Sequence, residues 1–258
     1  MGRIAKAILE KDFEEGLKNK EFKIYIQPKF DIKEEKVVGA EALIRRVKDG
    51  KLIMPKDFVP LYEKTNLITR LDMFVFENVC KKIKEWGEKG YKLFPISVNE
   101  SRKVLYYKNH VKELEDIVKK YKVNPNLIEL ELTETAAVRD IEDAKRAADE
   151  VHALGFIVSM DDFGVGYSSF YMLKNIHIDI LKIDRNFSHE VMEDQRGRII
   201  LETIIEMAKK LEIKTVAEGI ETKEQVDYLR EIGCDIVQGY YYEKPMPVEE
   251  FEEKYMKN

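Results

Sequence analysis

Long apolar runs are missing from this 258-residue chain: nothing in it approaches the length of a membrane span, and residues 1–12 carry no apolar stretch ending in a small-residue cleavage site. The expectation is a cytoplasmic chain with no membrane segment. Cysteine is scarce as well. Cys80 and Cys234 lie far apart with no partners at zinc-ligand spacing, so both read as reduced core residues rather than as a disulfide framework or a zinc site. The four histidines, His110, His152, His177 and His189, fit no zinc motif either and read as surface or satisfied structural residues. Positive charge is not in surplus. Lys and Arg total 44 against 49 for Asp and Glu, a formal charge of -5, so no global field favours DNA, RNA or an anionic membrane, and any phosphate contact must be local. Repeats, low-complexity tracts and Pro/Gly/Ser-rich linkers are also absent; the 13 Gly and 7 Pro are scattered.

What remains is the composition of one α/β core, with 44% hydrophobic and 10% aromatic residues. The 36% charged fraction mixes both signs along helical stretches such as Lys81 to Lys89, as on solvated helix faces. Short β-rich runs are read at Lys23–Gln27, Val37–Ile44, Phe94–Asn99, Leu127–Leu132, Phe156–Met160, Ile180–Ile183, Lys214–Ala217 and Asp235–Val237. Between them helices are expected near Ile4–Asn19, Pro55–Thr65, Leu67–Lys89, Lys103–Tyr121, Ile141–Leu154, Arg196–Leu211, Lys223–Ile232 and Val248–Tyr255. Gly155 and Gly233 are placed as helix C-terminal residues and Thr222 as a helix cap. Eight strands alternating with helices predict a TIM-like (β/α)8 barrel. The short link Pro28 to Lys36 looks like a hairpin, which makes one strand antiparallel. A single domain over 1–258 follows, with an N-terminal helix (1–20), the barrel (21–247) and a C-terminal helix (248–258).

Each strand closes on polar residues: Gln27; Glu41 with Arg45; Asn99; Glu131 with Glu134; Asp161 with Asp162; Lys182 with Asp184; Glu218; and Gln238. One acidic residue after a strand is usually a cap or a solvated loop residue, but in a barrel this whole series converges on one face. Oxygen donors without His or Cys suit hard cations, so Glu41, Asn99, Glu131 and Asp161 point to Mg²⁺ or Mn²⁺. The adjacent carboxylates of Asp161 and Asp162 repel each other unless a cation neutralises them, and two cations can clamp a phosphoryl group and acidify a water. Arg45 and Lys182 are suited to phosphate or to charge neutralisation. The G-x-G of residues 164–166 is weak evidence by itself and lacks dinucleotide spacing; beside two aspartates it reads as an active-site loop. A metal-dependent phosphodiesterase is the function this pattern predicts.

From about Phe22 to Pro247 the chain resembles the EAL-domain cyclic di-GMP phosphodiesterases. The resemblance rests on Y-I-Q-P at 25–28, E-A-L-I-R at 41–45, S-V-N at 97–99, E-L-T-E at 131–134, D-D-F-G-V-G-Y-S-S at 161–169, L-K-I-D at 181–184, A-E-G-I-E-T at 217–222 and Q-G-Y at 238–240. It implies a modified barrel that cleaves one phosphodiester of cyclic di-GMP to linear pGpG with Mg²⁺ or Mn²⁺, two per active site. By the same match Glu41, Asn99, Glu131 and Asp161 resemble the metal ligands, Asp162 completes a second metal site, and Lys182 lies beside the attacking water. Glu218 matches a metal-site carboxylate or general base, Arg45 a phosphate contact, Gln27 and Asp184 substrate-site residues, Gln238 a residue near the water, and Glu134 the carboxylate that holds the glycine loop.

Four positions depart from the pattern that the resemblance implies: Arg46 for tryptophan, Glu100 for leucine, Val165 for threonine and His177 for proline. None removes an expected ligand. Val165 exchanges a hydroxyl for a methyl group, forfeiting a loop hydrogen bond worth about 0.5 to 1.5 kcal/mol, so turnover below that of an intact loop is expected. The resemblance also implies a homodimer through the region after 161–169, where Tyr167, Phe170, Tyr171, Met172 and Leu173 are apolar, although such residues also suit the inner face of a barrel helix. Two alternatives stand beside the enzyme: a receptor that binds the nucleotide without cleaving it, and an interaction module that has lost nucleotide binding. Intact ligand positions argue against the first, and Arg45 with Gln27 against the second.

Overall fold

The computed structural model describes residues 2–101, 109–133, 141–164, 169–192 and 194–257. The chain opens with helix α1 (Arg3–Lys18), followed by strands β1 (Phe22–Asp31), β2 (Val37–Lys48) and β3 (Lys51–Ile53) and helices α2 (Pro55–Glu63) and α3 (Leu67–Glu88). Strand β4 (Ile96–Glu100), helix α4 (His110–Tyr121), β5 (Ile128–Thr133), α5 (Ile141–Ala153), β6 (Ile157–Phe163) and α6 (Ser169–Asn175) come next. The last part runs β7 (Ile180–Ile183), α7 (Arg185–Met192), α8 (Gln195–Lys210), β8 (Lys214–Ala217), α9 (Lys223–Glu231), β9 (Ile236–Val237), β10 (Met246–Pro247) and α10 (Val248–Tyr255).

Alternation of strand and helix forces parallel pairing, because each helix carries the chain back to the same end of the sheet. Strands β2, β4, β5, β6, β7, β8 and β9 accordingly lie parallel in that order. β1 runs antiparallel to both β2 and β9 and so closes a ring of eight. This is the TIM-like barrel with one antiparallel strand that the alternation predicts. The hairpin is longer in strand than its sequence indicates: pairing runs from Phe22↔Arg46 to Phe30↔Val37, so the connection shrinks to residues 32–36. Pro28 does not end the strand, since it sits within the β1 ladder opposite Ala40.

Parallel strands covered by helices are buried on both faces, as β5 and β7 are nearly throughout. The main core packs β-strand valines, isoleucines and leucines against α3, α5, α8 and α10. A second cluster, Phe13, Phe22, Phe58, Tyr62, Leu67, Ile68 and Leu71, joins α1 to α2 and α3, with Phe13 edge-on to Tyr62 at 5.2 Å. Here Arg46, where tryptophan was noted as common, ties α1 to the barrel: it is buried, bonds Asp12 of α1 and Glu21, and lies over the Phe22 ring at 5.3 Å. Ends expected from the sequence are in place. Thr222 and Gln225 form a reciprocal capping box, and Gly155 and Gly233 take φ of 93° and 84°. The expected helix at Lys103–Tyr121 is described only as His110–Tyr121, because 102–108 lie outside the described residues. Among the described residues no helix is long and apolar enough to cross a membrane.

Candidate active site

Register alone assembles the site. Gln27 lies opposite Glu41 across β1 and β2, Asn99 faces Glu131 across β4 and β5, and Thr133 faces Asp161 across β5 and β6. Asn99 Nδ2 donates to Glu41 Oε1 at 2.9 Å. Gln238 Nε2 donates to Glu41 Oε2 at 2.7 Å and to Gln27 Oε1 at 3.1 Å. Gln27 Nε2 in turn donates to the Glu243 carbonyl at 3.0 Å, so the two glutamines and the glutamate form one network over the closure of the ring.

Lys182 stands among three carboxylates. Its Nζ, on a side chain 1% exposed, is 2.8 Å from Glu131 Oε1, 3.0 Å from Asp161 Oδ1 and 2.8 Å from Glu218 Oε1. Burial alone would strip the ammonium of its proton, but Asp161, Glu131 and Glu218 outweigh it and hold its pKa well above the usual lysine range. Burial pushes the Glu131 carboxyl the other way, yet the Lys182 and Lys29 ammonium groups together hold it at about 2. Glu218 and Glu41 are not so relieved. Burial, against the pull of Lys182 and with the repulsion of Asp161 and Glu41, lifts Glu218 to about 8; burial and Glu131 raise Glu41.

The aspartate pair sits on a fault in the sheet. Pairing of β6 with β7 shifts between Met160 and Phe163, a bulge that re-aims the residues it contains. Asp162 takes φ of 59°, a left-handed conformation that costs a non-glycine residue on the order of 1 kcal/mol. Its carboxyl is lifted to about 6 by burial and by the charges of Asp161 and Asp184. At Gly164, φ is 101° and a Cβ would meet the Phe187 ring at 2.6 Å, so only glycine turns the chain here. Glu134 and Val165 lie outside the described residues.

Each remaining predicted residue has a definite place. Asp184 Oδ1 accepts from the backbone of Asn186 and Phe187 at 2.9 and 3.2 Å, which caps α7. Arg45 is buried beside Tyr25, with its guanidinium carbon 5.8 Å from the ring centre, and Nη1 donates to the Ile44 carbonyl at 2.9 Å. A cavity of about 390 Å³ opens beside the cluster, and Glu41, Asn99 and Asp162 line it together with Leu43, Pro55 and Val59.

Sequence reasoning missed a second buried ammonium. Lys29 Nζ, 2% exposed, bonds both Glu129 oxygens at 3.0 and 2.9 Å and lies 3.4 Å from Glu131 Oε1. The signal was present in strand periodicity: Lys29 and Glu129 stand two residues from Gln27 and Glu131 and therefore share their face. A third group, Glu100, is bonded to His110 Nε2 at 2.7 Å, while Asp72 accepts from the Ser101 backbone at 3.2 Å.

Six carboxylates, Glu41, Glu129, Glu131, Asp161, Asp162 and Glu218, thus face three cations, Lys29, Lys182 and Arg45. Glu131 Oε2 is buried without a hydrogen-bond partner, and Asp161 Oδ1, though close to Lys182, lacks hydrogen-bonding geometry to it. All these donors are oxygens, so the set suits a hard divalent cation. Among the described residues no three carboxylate, His or Cys side chains are already grouped to hold a metal ion, and the point on which Glu131, Asp161 and Glu218 converge is taken by the Lys182 ammonium.

The EAL domain model matches residues 10–245 of this chain. The chain belongs to the EAL domain family. It is 35% identical over 93% of its length to the signaling protein YkoW of Bacillus subtilis, and 33% identical over 93% to the bifunctional diguanylate cyclase/cyclic di-GMP phosphodiesterase MucR of Pseudomonas aeruginosa. It spans only 30% and 35% of those two proteins. Among solved structures, this EAL chain superposes on the PaMucR phosphodiesterase in complex with c-di-GMP with a TM-score of 0.88 and 33% identity, covering 94% of this chain and 99% of that one. The EAL fold is therefore common to both.

Proposed function

We propose that this chain is a cyclic di-GMP phosphodiesterase that hydrolyses one ester bond to give linear pGpG, with Mg²⁺ or Mn²⁺ as cofactor. The observation that carries the reading is the Lys182 ammonium shared by Glu131, Asp161 and Glu218 beside a buried carboxylate oxygen with no partner. The solved c-di-GMP complex of a relative at 33% identity supports the substrate.

Glu41, Asn99, Glu131, Asp161 and Asp162 would hold two cations. When bound, these supply Lewis-acid charge at the phosphoryl group and lower the pKa of a nearby water. The chain's own groups do the rest. Lys182 donates to the water oxygen as it attacks phosphorus, and Glu218, as carboxylate, takes the water proton. The P–O bond to the ribose 3′ oxygen breaks with its electron pair on that oxygen, which takes a proton from solvent and leaves as a hydroxyl, and Glu218 returns its proton to solvent. Arg45 binds a phosphate, Gln27 and Gln238 orient groups at the Glu41 end, and Asp184 steadies the loop before α7. Glu134 lies outside the described residues and keeps the role that the family resemblance assigns it. Exposed Phe170 (65%) and Tyr171 (58%) support a homodimer through α6, which sedimentation of a Tyr171→Glu variant tests: a parent monomer would refute it.

Purified protein given Mg²⁺ or Mn²⁺ and cyclic di-GMP should release pGpG, resolved by chromatography, and Glu41→Ala should lose cation binding and product together. Tight nucleotide binding with no product at high protein concentration would instead identify a receptor.

A further inference from the structure

Glu131 Oε1 receives two ammonium groups, Lys182 Nζ at 2.8 Å and Lys29 Nζ at 3.4 Å, while Oε2 of the same carboxylate is buried with no partner. The two lysines come from opposite sides of the barrel interior, β7 and the antiparallel β1. Lys29 is itself oriented by Glu129, both of whose oxygens it bonds at 3.0 and 2.9 Å. Glu129 and Glu131 alternate on β5, so both point to the interior, one layer apart. Across the β1–β2 ladder Lys29 stands opposite Gly39, where a Cβ would crowd the Pro95 carbonyl at 3.2 Å but only touch the lysine stem, at 3.9 Å from Cδ.

An ammonium has three donors, and a merely structural Lys29–Glu129 pair would use two of them. The third goes to the oxygen that Lys182 already anchors. We infer that Lys29 is a positioning residue for the reaction: with Glu129 behind it, it pins Oε1 of Glu131 so that Oε2 is the oxygen left to ligate a divalent cation. The inference rests on the metal-site reading above. It assigns Lys29 no contact with substrate or water.

Removing Lys29 alone would strand the Glu129 charge in the interior, so the test uses Lys29→Met/Glu129→Gln, which removes one charge of each sign and keeps the volumes close. Mn²⁺ titration by calorimetry on the full chain is read first in the parent. A parent that binds no Mn²⁺ overturns the metal-site reading and this inference with it. Given parental binding, the double variant should keep the parental circular dichroism spectrum, bind Mn²⁺ about 10- to 100-fold more weakly, and lose kcat while KM for cyclic di-GMP stays within about 3-fold. Glu129→Gln alone keeps the Lys29 contact to Glu131 and should bind Mn²⁺ within about 3-fold of the parent. Parental Mn²⁺ affinity in the folded double variant, or equal loss in Glu129→Gln, overturns the positioning role. Should the double variant fail to fold, Lys29→Arg decides: it keeps the charge but not the single-nitrogen bridge, so weakened Mn²⁺ binding supports the role and parental binding refutes it.

Discussion

Gln238 Nε2 donates to Glu41 Oε2 at 2.7 Å, joining the end of β9 to β2 around the antiparallel strand that separates them. The same nitrogen reaches Gln27 Oε1 at 3.1 Å, so one amide fixes a carboxylate that Asn99 holds from the other side. Gln238→Ala removes half of that support. Outer partners of this kind are worth about 10- to 100-fold in metal affinity or activity, and a drop of that size in kcat is expected with unfolding stability within about 1 kcal/mol of the parent. Unchanged kcat would show that Asn99 alone orients Glu41.

Lys182 sets one positive charge among the carboxylates of Glu131, Asp161 and Glu218. Lys182→Met therefore leaves carboxylates buried and unpaired, a loss of about 3 to 5 kcal/mol in metal-free protein. A divalent cation can replace the missing charge. Thermal unfolding should show a larger rise in Tm on adding Mn²⁺ to the variant than to the parent, while cleavage falls by about 100-fold or more because the donor to the water is gone. Equal stability of the two proteins in EDTA would contradict the charge argument.

The residues most readily found in the sequence are those at strand ends. Glu41, Asn99, Glu131, Asp161, Lys182, Glu218 and Gln238 follow from period-2 strands and from the rule that strand ends converge in a barrel, and the structure brings them together. Glu129 escaped that reasoning because it sits inside a strand, and Lys29 because it was read in the link Pro28 to Lys36, whereas β1 continues through it to Asp31. Their pairing depends on two strands 100 residues apart. Short elements escaped too. β3 has three residues and β10 two, and both exist only because a longer neighbour offers a free edge. Helix α7, which the sequence pattern also left out, starts on Asp184, whose Oδ1 accepts from the Asn186 and Phe187 amides.

Cation binding and protonation compete for the same oxygens. Without metal, burial lifts Glu218 to about 8 and Asp162 to about 6, and Glu41 is also raised, so near pH 6 the site holds protons that a cation must displace. Mn²⁺ affinity should then increase between pH 6 and pH 8, with protons released on binding. Calorimetry at pH 7 in two buffers of different ionisation enthalpy counts them directly. Zero release, or affinity that falls as pH rises, would show that these groups are ionised before the metal arrives.

Asp72 offers a stability prediction separate from catalysis. Burial, and after it the Glu100 charge, lifts its carboxyl to about 8 from an ordinary 3.8, while the Ser101 amide and His110 pull in the opposite direction. Between about pH 4 and 8 the folded chain therefore keeps a proton that the unfolded chain releases, and stability falls as pH rises through that window, by at most about 1.4 kcal/mol per pH unit. His110 adds to the same trend. Burial opposes its charge, but Glu100 raises it above the ordinary 6.5, so its contribution is complete below that value and is lost as pH climbs past the raised one. Asp72→Asn keeps an oxygen for the Ser101 amide and cannot ionise, which leaves only the His110 part of the slope. Urea unfolding at pH 5 and pH 8 should show the variant gaining at least about 1 kcal/mol on the parent at the higher pH. A difference between the two proteins that does not change with pH would mean that Asp72 is already ionised in the folded state.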